Sequence, residues 1–382
     1  MDFALPEELR IFKETVRRFV DTELIPLEQK EPRGLLPETR DRLRAMTRDL
    51  GFWLLDVPRE LGGQGLSVLG QSIFFEELSR SVAVMPRDFY IIGPTVGVLL
   101  ANLKGYQKER YLDPVIRGEK MPCFAVTEPD AGSDPASMRT RAVRDGDDYV
   151  INGVKRFITG ADKADFAQLM ALTDPVKKAH GGVSCFLIDM DSPGLKISTK
   201  HQTMMGDAPC ELVLENVRVP AKNLIGKEGE GFRLAQEWIT QNRILRHGAR
   251  ACGVAERCLE MGVRYAKQRV TFGEPLANRQ SIQWMLADTY TELQAARHMV
   301  RYAAWKCDQG EDVRSETYLA KMYGSEMAFR AADRCLQIHG GIGLTVELPI
   351  ERFWRDARSF TITEGPAEVM RMTLARHVLK QY

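Results

Sequence analysis

Three stretches of the chain carry residue types suited to chemistry. The first, Phe124-Ala-Val-Thr-Glu-Pro-Asp-Ala-Gly-Ser-Asp134, gathers hydroxyls, a glycine and free backbone N–H groups in one loop. Such a loop can hydrogen-bond a polar planar ring or a phosphate. A decorated β-turn would have the same composition. Phe157-Ile-Thr159 follows it, and because residues two apart on a strand share a sheet face, an aromatic and a hydroxyl are expected side by side there. Read singly, that pair also fits a core. The second stretch, Gln337-Ile-His-Gly-Gly-Ile-Gly343, ends a helical segment with glycines that admit a close ligand or backbone approach. A plain helix C-cap would look similar, and the dinucleotide fingerprint is excluded because it follows a strand and opens a helix. The third, Thr361-Ile-Thr-Glu-Gly-Pro366, holds an isolated carboxylate between an apolar extended piece and a helix opened by Pro366 at a first-turn position. Gly365 leaves room for a substrate carbonyl at the backbone. A carboxylate facing an apolar cavity loses solvation, which raises its pKa toward the range of a general base. The alternative for Glu364 is a helix-capping role.

These stretches need a scaffold, and 382 residues suffice for two or three packed units at about 150 residues each. With 44% hydrophobic and 27% charged residues the chain has an ordinary globular mix, which excludes disordered, collagen-like and disulfide-scaffold classes. A net charge of +1 gives no reason to expect nucleic acid or an anionic membrane as the main partner. Seven cysteines (123, 185, 210, 252, 258, 307 and 335) form no Cys-x-x-Cys, and six histidines form no His-Glu-x-x-His. Neither a disulfide framework nor a metal site is expected, and a reducing cytoplasm fits best. The start, Met-Asp-Phe-Ala-Leu-Pro-Glu-Glu, is acidic where a secretory signal is basic. Apolar runs such as residues 91–100 are broken by Gly and Pro, so no membrane span is expected.

Periodicity divides the chain into an N-terminal helical domain (1–120), a central β-domain (121–226) and a C-terminal helical domain (227–382). In the first, Leu9, Ile11, Phe12, Val16, Phe19 and Val20 recur at three- and four-residue steps behind Pro6-Glu7-Glu8. A glycine-rich loop at residues 60–65 precedes helices over 67–80, with Ile73, Phe74 and Leu78 inward, and over 106–116. In the second, Asp145-Gly146 marks a hairpin between residues 140–144 and 148–158, residues 211–219 alternate at period two, and an exposed loop at 177–182 feeds a strand over 183–189. In the third, helical patterns over 232–268, 280–307, 316–338 and 366–379 with short connections predict an antiparallel four-helix bundle. The expected class is α+β multidomain, with an all-α domain, a β-barrel-like domain and a bundle.

In this order and spacing the stretches resemble the acyl-CoA dehydrogenase family over essentially the whole chain. Residues 127–134 match its Thr-Glu-Pro-x-Ala-Gly-Ser-Asp, residues 337–343 its Gln-x-x-Gly-Gly-x-Gly, with Glu347, Arg352 and Asp356 following, and Glu364-Gly365 its catalytic pair. Its Arg-x-x-Phe-Gly stands at residues 269–273, with Gln280 after it. The resemblance implies FAD, with Phe124, Val126, Thr127, Gly132, Ser133, Phe157, Ile158 and Thr159 around the flavin ring and Pro366 and Glu368 at positions of further FAD contacts. It also implies that Arg269, Phe272, Gln280, Gln337, Gly340 and Gly341 hold the pyrophosphate and adenine end of a neighbouring subunit's FAD. That requires an oligomer, by likeness a homotetramer built as a dimer of dimers. Ser133, Arg243 and Gly365 are the implied substrate contacts, the first two toward CoA.

Some positions depart from the family pattern. Phe157 stands for a tryptophan, Pro366-Ala-Glu368 for Thr-x-Gln, Thr240 for the acid of Asp-x-x-Arg, and a serine near the nucleotide end of the substrate is replaced around Asp207. The implied activity, within fatty acid metabolism, is α,β-dehydrogenation of an acyl-CoA thioester to a trans-2-enoyl-CoA. Glu364 takes the α-proton, the β-hydride goes to flavin N5, and the Glu364 backbone N–H meets the thioester oxygen. Electrons then pass to an electron-transfer flavoprotein. An enoyl-CoA reductase or an acyl-CoA oxidase is the nearest alternative, the chain being short for two-bundle oxidases. A flavin-containing nucleic-acid-binding relative would want a basic groove or tail, which Arg376-His-Val-Leu-Lys-Gln-Tyr382 does not supply. A rival base would be Glu237. The acyl pocket floor is expected over residues 89–102, where Val98 and Leu99 are apolar, while Arg87 and Asp88 would favour a polar acyl group.

Overall fold

The computed structural model describes residues 4–32, 34–84, 90–94 and 96–382. Arg87 and Asp88, expected beside the acyl pocket, lie outside the described residues. The first third holds helices α1 (Glu7–Phe19), α2 (Leu27–Lys30), α3 (Pro37–Asp49), α4 (Val68–Leu78), α5 (Gly97–Ala101), α6 (Gly105–Gln107) and α7 (Asp113–Arg117). Strands follow as β1 (Pro122–Ala125), β2 (Arg141–Asp145), β3 (Asp148–Ile158), β4 (Phe166–Leu172), β5 (Val183–Asp189), β6 (Leu195–Lys200), β7 (Cys210–Pro220) and β8 (Leu224–Ile225). The last third contains α8 (Gly231–Asn242), α9 (Arg250–Gln268), a two-stranded hairpin β9 (Val270–Thr271) and β10 (Glu274–Pro275), then α10 (Gln280–Asp308), α11 (Arg314–His339), α12 (Ile350–Phe360) and α13 (Ala367–Gln381). The architecture is the expected helical, β and helical succession.

These elements pack as two compact units, and the helical first third is divided between them. One comprises Met1–Asp41, Leu66–Asp88 and Thr240–Tyr382; the other comprises Arg42–Gly65 and Phe89–Ile239. In the second unit the strands form one sheet in the order β6-β7-β3-β2-β4-β5-β8, with β1 parallel to β4. Alternation puts Tyr149, Ile151, Leu212, Leu214, Val217 and Val219 into its core, where Tyr149 meets Phe186 edge-on at 4.9 Å. A second cluster joins Leu54, Val57, Leu100 and Tyr111 to Phe166, Met170 and Leu187 of β4 and β5. Buried Asn223 locks it by donating from Nδ2 to the Tyr111 hydroxyl and the Leu187 carbonyl, both at 2.9 Å.

In the first unit, α9, α10 and α11 are the bundle's long helices. A stripe of small residues on α11, Ala320, Gly324, Ala328 and Ala332, lets neighbouring backbone approach: Gly248 Cα would lie 3.6 Å from a Cβ placed on Gly324. α4 is buried all round rather than on one face, because its Glu76 and Glu77 are paired inside. Arg297 Nε donates to Glu76 Oε1 at 2.7 Å, and Arg17 Nε to Glu77 Oε2 at 2.8 Å. The first turn is capped by the Ser67 hydroxyl and by Asp308, whose carboxylate accepts from the N–H groups of Val68 and Leu69. The apolar piece before Glu364, expected to be extended, is the amphipathic helix α12. Ile350, Phe353, Ala357 and Phe360 recur at three- and four-residue steps and are buried, so the period of 3.6 prevails.

Candidate active site

Within the second unit, the loop after β1 is held by a buried ion pair. The carboxylate of Glu128 accepts from the N–H groups of Arg139 (2.6 Å) and Thr140 (3.0 Å) and from the Lys155 ammonium (2.8 Å), which also donates to the Val126 carbonyl. Burial works to raise the Glu128 carboxyl, and Lys155 with these hydrogen bonds overrides it, leaving it below its ordinary range. Burial pushes the fully enclosed Lys155 down to about 8, which still leaves the pair ionised at neutral pH. Arg156 N donates to the Thr127 carbonyl at 2.7 Å, so the loop is tied to β3 at two adjacent residues. The glutamate of the Thr-Glu-Pro motif is thus a loop clamp, and the neighbouring Thr127, Gly132 and Ser133 are left accessible.

Phe157 is presented differently from the expectation. Between Lys155 and Ile158 the register of β3 against β7 shifts, and Phe157 takes a left-handed backbone (φ 58°). A bulge of this kind re-aims one side chain out of the pleat. The residue is 54% exposed, and its ring lies 5.1 Å from the His201 ring. Thr159 falls past the end of the strand, so the shared-face relation with Phe157 does not apply. The Ile158 side chain belongs to the core, leaving only its backbone available. Phe124 packs at 4.5 Å against Trp238 of α8. The same indole lies where a side chain on Gly97 would sit, 2.4 Å from its would-be Cβ, while Leu99 on α5 is buried. Trp238 escaped the sequence reading; its signal was an aromatic on the helix opening the last third.

In the first unit, α9 ends at Gln268, Arg269 is its extended C-cap, and the chain turns through Phe272 and Gly273, both with positive φ (53° and 82°), as a two-residue hairpin turn requires. Phe272 is 98% exposed at its tip. Arg269, Gln280, Gln337, Gly340 and Gly341 are exposed as well, and stacking of His339 on Tyr265 at 4.3 Å brings the end of α11 beside the last turn of α9. Gly340 has φ 62°, and apart from chain neighbours no atom of the described residues lies within 4 Å of a Cβ placed on either Gly340 or Gly341. Backbone open to this degree, next to an exposed Arg and aromatic, fits a phosphate-bearing, flat ligand.

The same unit contains Glu364, on the turn between α12 and α13. Glu364 has φ 54° and Gly365 φ 100°. A non-glycine residue held there stores strain, which persists only where surroundings over-determine it. Here two buried cations do so: Arg243 Nε donates to the Glu364 carbonyl at 2.9 Å, and Lys321 Nζ to the Gly365 carbonyl at 2.5 Å. Burial, with Arg243 adding, pushes Lys321 down to about 8. The turn is otherwise closed by Thr363 N on the Ser359 carbonyl and Ala367 N on the Thr361 carbonyl, bonds that do not involve the Glu364 N–H. Pro366 is the N-cap of α13, one position earlier than expected, and Glu368 lies exposed in its first turn. Arg243 belongs to a wide π-type turn, Arg243–Ala249, that joins α8 to α9; such turns recur at functional sites.

The Glu364 side chain is 26% exposed, and its Oε2 stands 3.4 Å from His247 Nε2. Burial alone would raise its pKa, as the sequence suggests. His247, Arg246 and Arg243 reverse the direction and hold the carboxyl below its ordinary range. The sequence alone does not single out Lys321 or His247. A lysine inside the small-residue stripe of α11, and a histidine four residues after Arg243 on one helical face, were the available signals. Glu237 is half-exposed and paired with Arg233.

Gly365→Ala should disturb this turn specifically. The added methyl would lie 2.7 Å from Met370 Cε and 3.0 Å from the Arg243 guanidinium, at a φ that L-residues avoid. A loss of about 1–3 kcal/mol is expected, read as a lower melting temperature with FAD content retained.

Models of one family match the chain along its length: acyl-CoA dehydrogenase, N-terminal domain, at residues 6–119, middle domain at 123–217, and C-terminal domain at 229–379. The chain belongs to the acyl-CoA dehydrogenase family. It is 36% identical to acryloyl-CoA reductase (NADH) of Anaerotignum propionicum, over all of this chain and 97% of that protein. It is also 36% identical to the caffeyl-CoA reductase–Etf complex subunit CarC of Acetobacterium woodii, over 98% and 99% of the two chains. The three-dimensional structure of butyryl-CoA dehydrogenase from Megasphaera elsdenii superposes with a TM-score of 0.87 at 32% identity, covering 99% of this chain and 100% of that one. Family membership makes the protein an FAD-dependent oxidoreductase of the acyl-CoA dehydrogenase type. The open backbone at Gly340–Gly341, the accessible Thr127–Ser133 loop and the outward Phe157 fit that cofactor. No described helix is long and apolar enough to cross a membrane, and no described cluster of His, Cys, Asp or Glu has the makings of a metal site.

Proposed function

We propose that the protein oxidises an acyl-CoA thioester to its trans-2-enoyl-CoA, with Glu364 as the base that removes the α-proton. FAD supplies the acceptor for the β-hydride. The observation that carries this reading is the state of Glu364: a partly accessible carboxylate, kept ionised by neighbouring cations, on a turn whose two carbonyls are gripped by Arg243 and Lys321. A base held at a fixed position abstracts a proton without reorganising first. The Glu364 N–H, outside the bonds that close the turn, is the donor assigned to the thioester oxygen, where negative charge grows as the α-proton leaves. Thr127, Gly132, Ser133 and Phe157 are assigned to the flavin ring, and Ser133 with Arg243 to the CoA side.

The exposed set Arg269, Phe272, Gln280, Gln337, Gly340 and Gly341 is assigned to the FAD of a second copy, within a dimer of dimers. An electron-transfer flavoprotein is the proposed acceptor, supported by a relative that is a subunit of a reductase–Etf complex. Because two relatives are reductases, the physiological direction is tested together with the substrate. The purified yellow protein is mixed anaerobically with short, branched, aromatic and dicarboxylic acyl-CoA esters, and flavin bleaching is followed. Bleaching with formation of the enoyl-CoA is expected for at least one ester. If none bleaches the flavin while enoyl-CoA esters reoxidise the reduced protein, the enzyme is a reductase. Cytoplasmic location and a place in fatty-acyl breakdown accompany this proposal, the former supported by six free cysteines buried in the fold.

A further inference from the structure

We propose that His247 is the positioning residue of the base: its Nε2–H closes onto the Glu364 carboxylate and keeps it ionised and aimed when substrate covers the site. This rests on the reading of Glu364 as the base. At 3.4 Å the contact is longer than a formed hydrogen bond, as catalytic contacts often are before substrate arrives. Oε2 of Glu364 has no formed hydrogen bond among the described residues, so the imidazole is the donor positioned to close on it. The tautomer follows from the surroundings. His247 Nδ1 is buried with no hydrogen-bond partner among the described residues; a proton there would be a buried donor without an acceptor, whereas a proton on Nε2 points at the carboxylate.

The His247 side chain is 7% exposed, and its ring stands edge-on to Phe360 of α12, with centroids 5.9 Å apart and planes at 87°, which restricts its rotation. Its charge state is neutral at neutral pH. Burial lowers its pKa, Lys321 and Arg250 lower it further, and Glu364 opposes them without reversing the direction. The other ionisable groups around the pair have partners of their own. Arg243 and Lys321 hold the turn carbonyls, with Tyr318 5.5 Å from Arg243 and Glu368 and Glu326 acting on Lys321. Arg246 lies over the Phe75 ring at 5.2 Å, and Arg250 over Phe360 while donating to the Ser79 hydroxyl. These cations set the potential at Glu364, and the histidine supplies the directional bond.

The test uses the FAD-loaded protein and two readouts: the pH dependence of the bleaching rate with a substrate that bleaches the wild type, and difference-infrared titration of the carboxylate band that disappears in Glu364→Gln. His247→Phe keeps a ring but removes the donor. Both the acid limb of the rate profile and the carboxylate titration should move up by about one pH unit or more, with FAD content unchanged. His247→Gln places an amide N–H where Nε2 stood and should return both close to wild type. If His247→Phe does not hold FAD, His247→Asn, whose amide is too short to reach, carries the same expectation. A Glu364 titration in His247→Phe or His247→Asn that coincides with wild type overturns the proposal. Normal bleaching by Glu364→Gln would instead overturn the assignment of the base beneath it.

Discussion

Glu364→Gln is expected to fold, bind FAD and bind acyl-CoA, yet bleach the flavin about a hundredfold to ten-thousandfold more slowly than wild type. The amide has nearly the shape of the carboxylate but cannot accept a proton at neutral pH. Its placement should survive, because the turn is held by its backbone: Arg243 and Lys321 bind the carbonyls of residues 364 and 365, not the side chain. His247 Nε2, 3.4 Å from Glu364 Oε2, is placed to close on the amide oxygen as it would on the carboxylate. A loss of this size corresponds to about 3–5 kcal/mol of transition-state stabilisation. Anaerobic stopped-flow mixing measures it directly, with the substrate-induced shift of the flavin spectrum reporting binding. Bleaching at the wild-type rate would move the base elsewhere, and Glu237, engaged by Arg233, would have to be released to take its place.

Lys155→Met should cost about 3–5 kcal/mol of stability, the penalty of leaving a buried partner charge uncompensated. The methionine fills much of the space of the lysine stem, so the loss is electrostatic. Glu128 would retain only its two backbone donors inside the β-domain. The Val126 carbonyl would lose the Lys155 ammonium, and the loop bearing Thr127 and Ser133 would be freed on that side. Retention of FAD should therefore fall along with the melting temperature. Pairing the change with Glu128→Gln removes the orphaned charge and should recover part of the stability, while the weaker hold on FAD persists. Thermal unfolding of both variants and fluorescence titration with FAD separate these outcomes. A Lys155→Met protein as stable and as FAD-retentive as wild type would show that the pair does not clamp the loop.

Much of this protein was readable from its residues. Period-two alternation placed β7 to within a residue at each end, and turn residues placed the hairpin joining β2 to β3. The helical period gave α10 and α11 nearly end to end, because amphipathic spacing and glycine or proline punctuation act locally. The same locality explains where the reading failed. The apolar run before Glu364 satisfies an extended segment as readily as α12, and only the neighbouring helices that bury Ile350, Phe353 and Phe360 decide between them.

At the candidate site, the sequence by itself determined which residue types are on offer, Glu364, the glycine beside it and the hydroxyls and glycine of residues 124–134, each a type that the proposed chemistry requires. It assigned Glu128 to a ligand-binding loop, and the tertiary structure made it that loop's clamp by bringing Lys155 under it. It set Phe157 on a strand face, and a bulge turned the ring outward. For Glu364 it predicted the desolvation correctly and the net direction wrongly. Burial follows from an apolar neighbourhood that the sequence reveals, whereas the opposing term comes from His247, Arg246 and Arg243, more than 110 positions away in the chain. Electrostatic energy depends on distance in space, falling from several kcal/mol at contact to little beyond a Debye length. No local pattern encodes that distance; the packing of the helices fixes it.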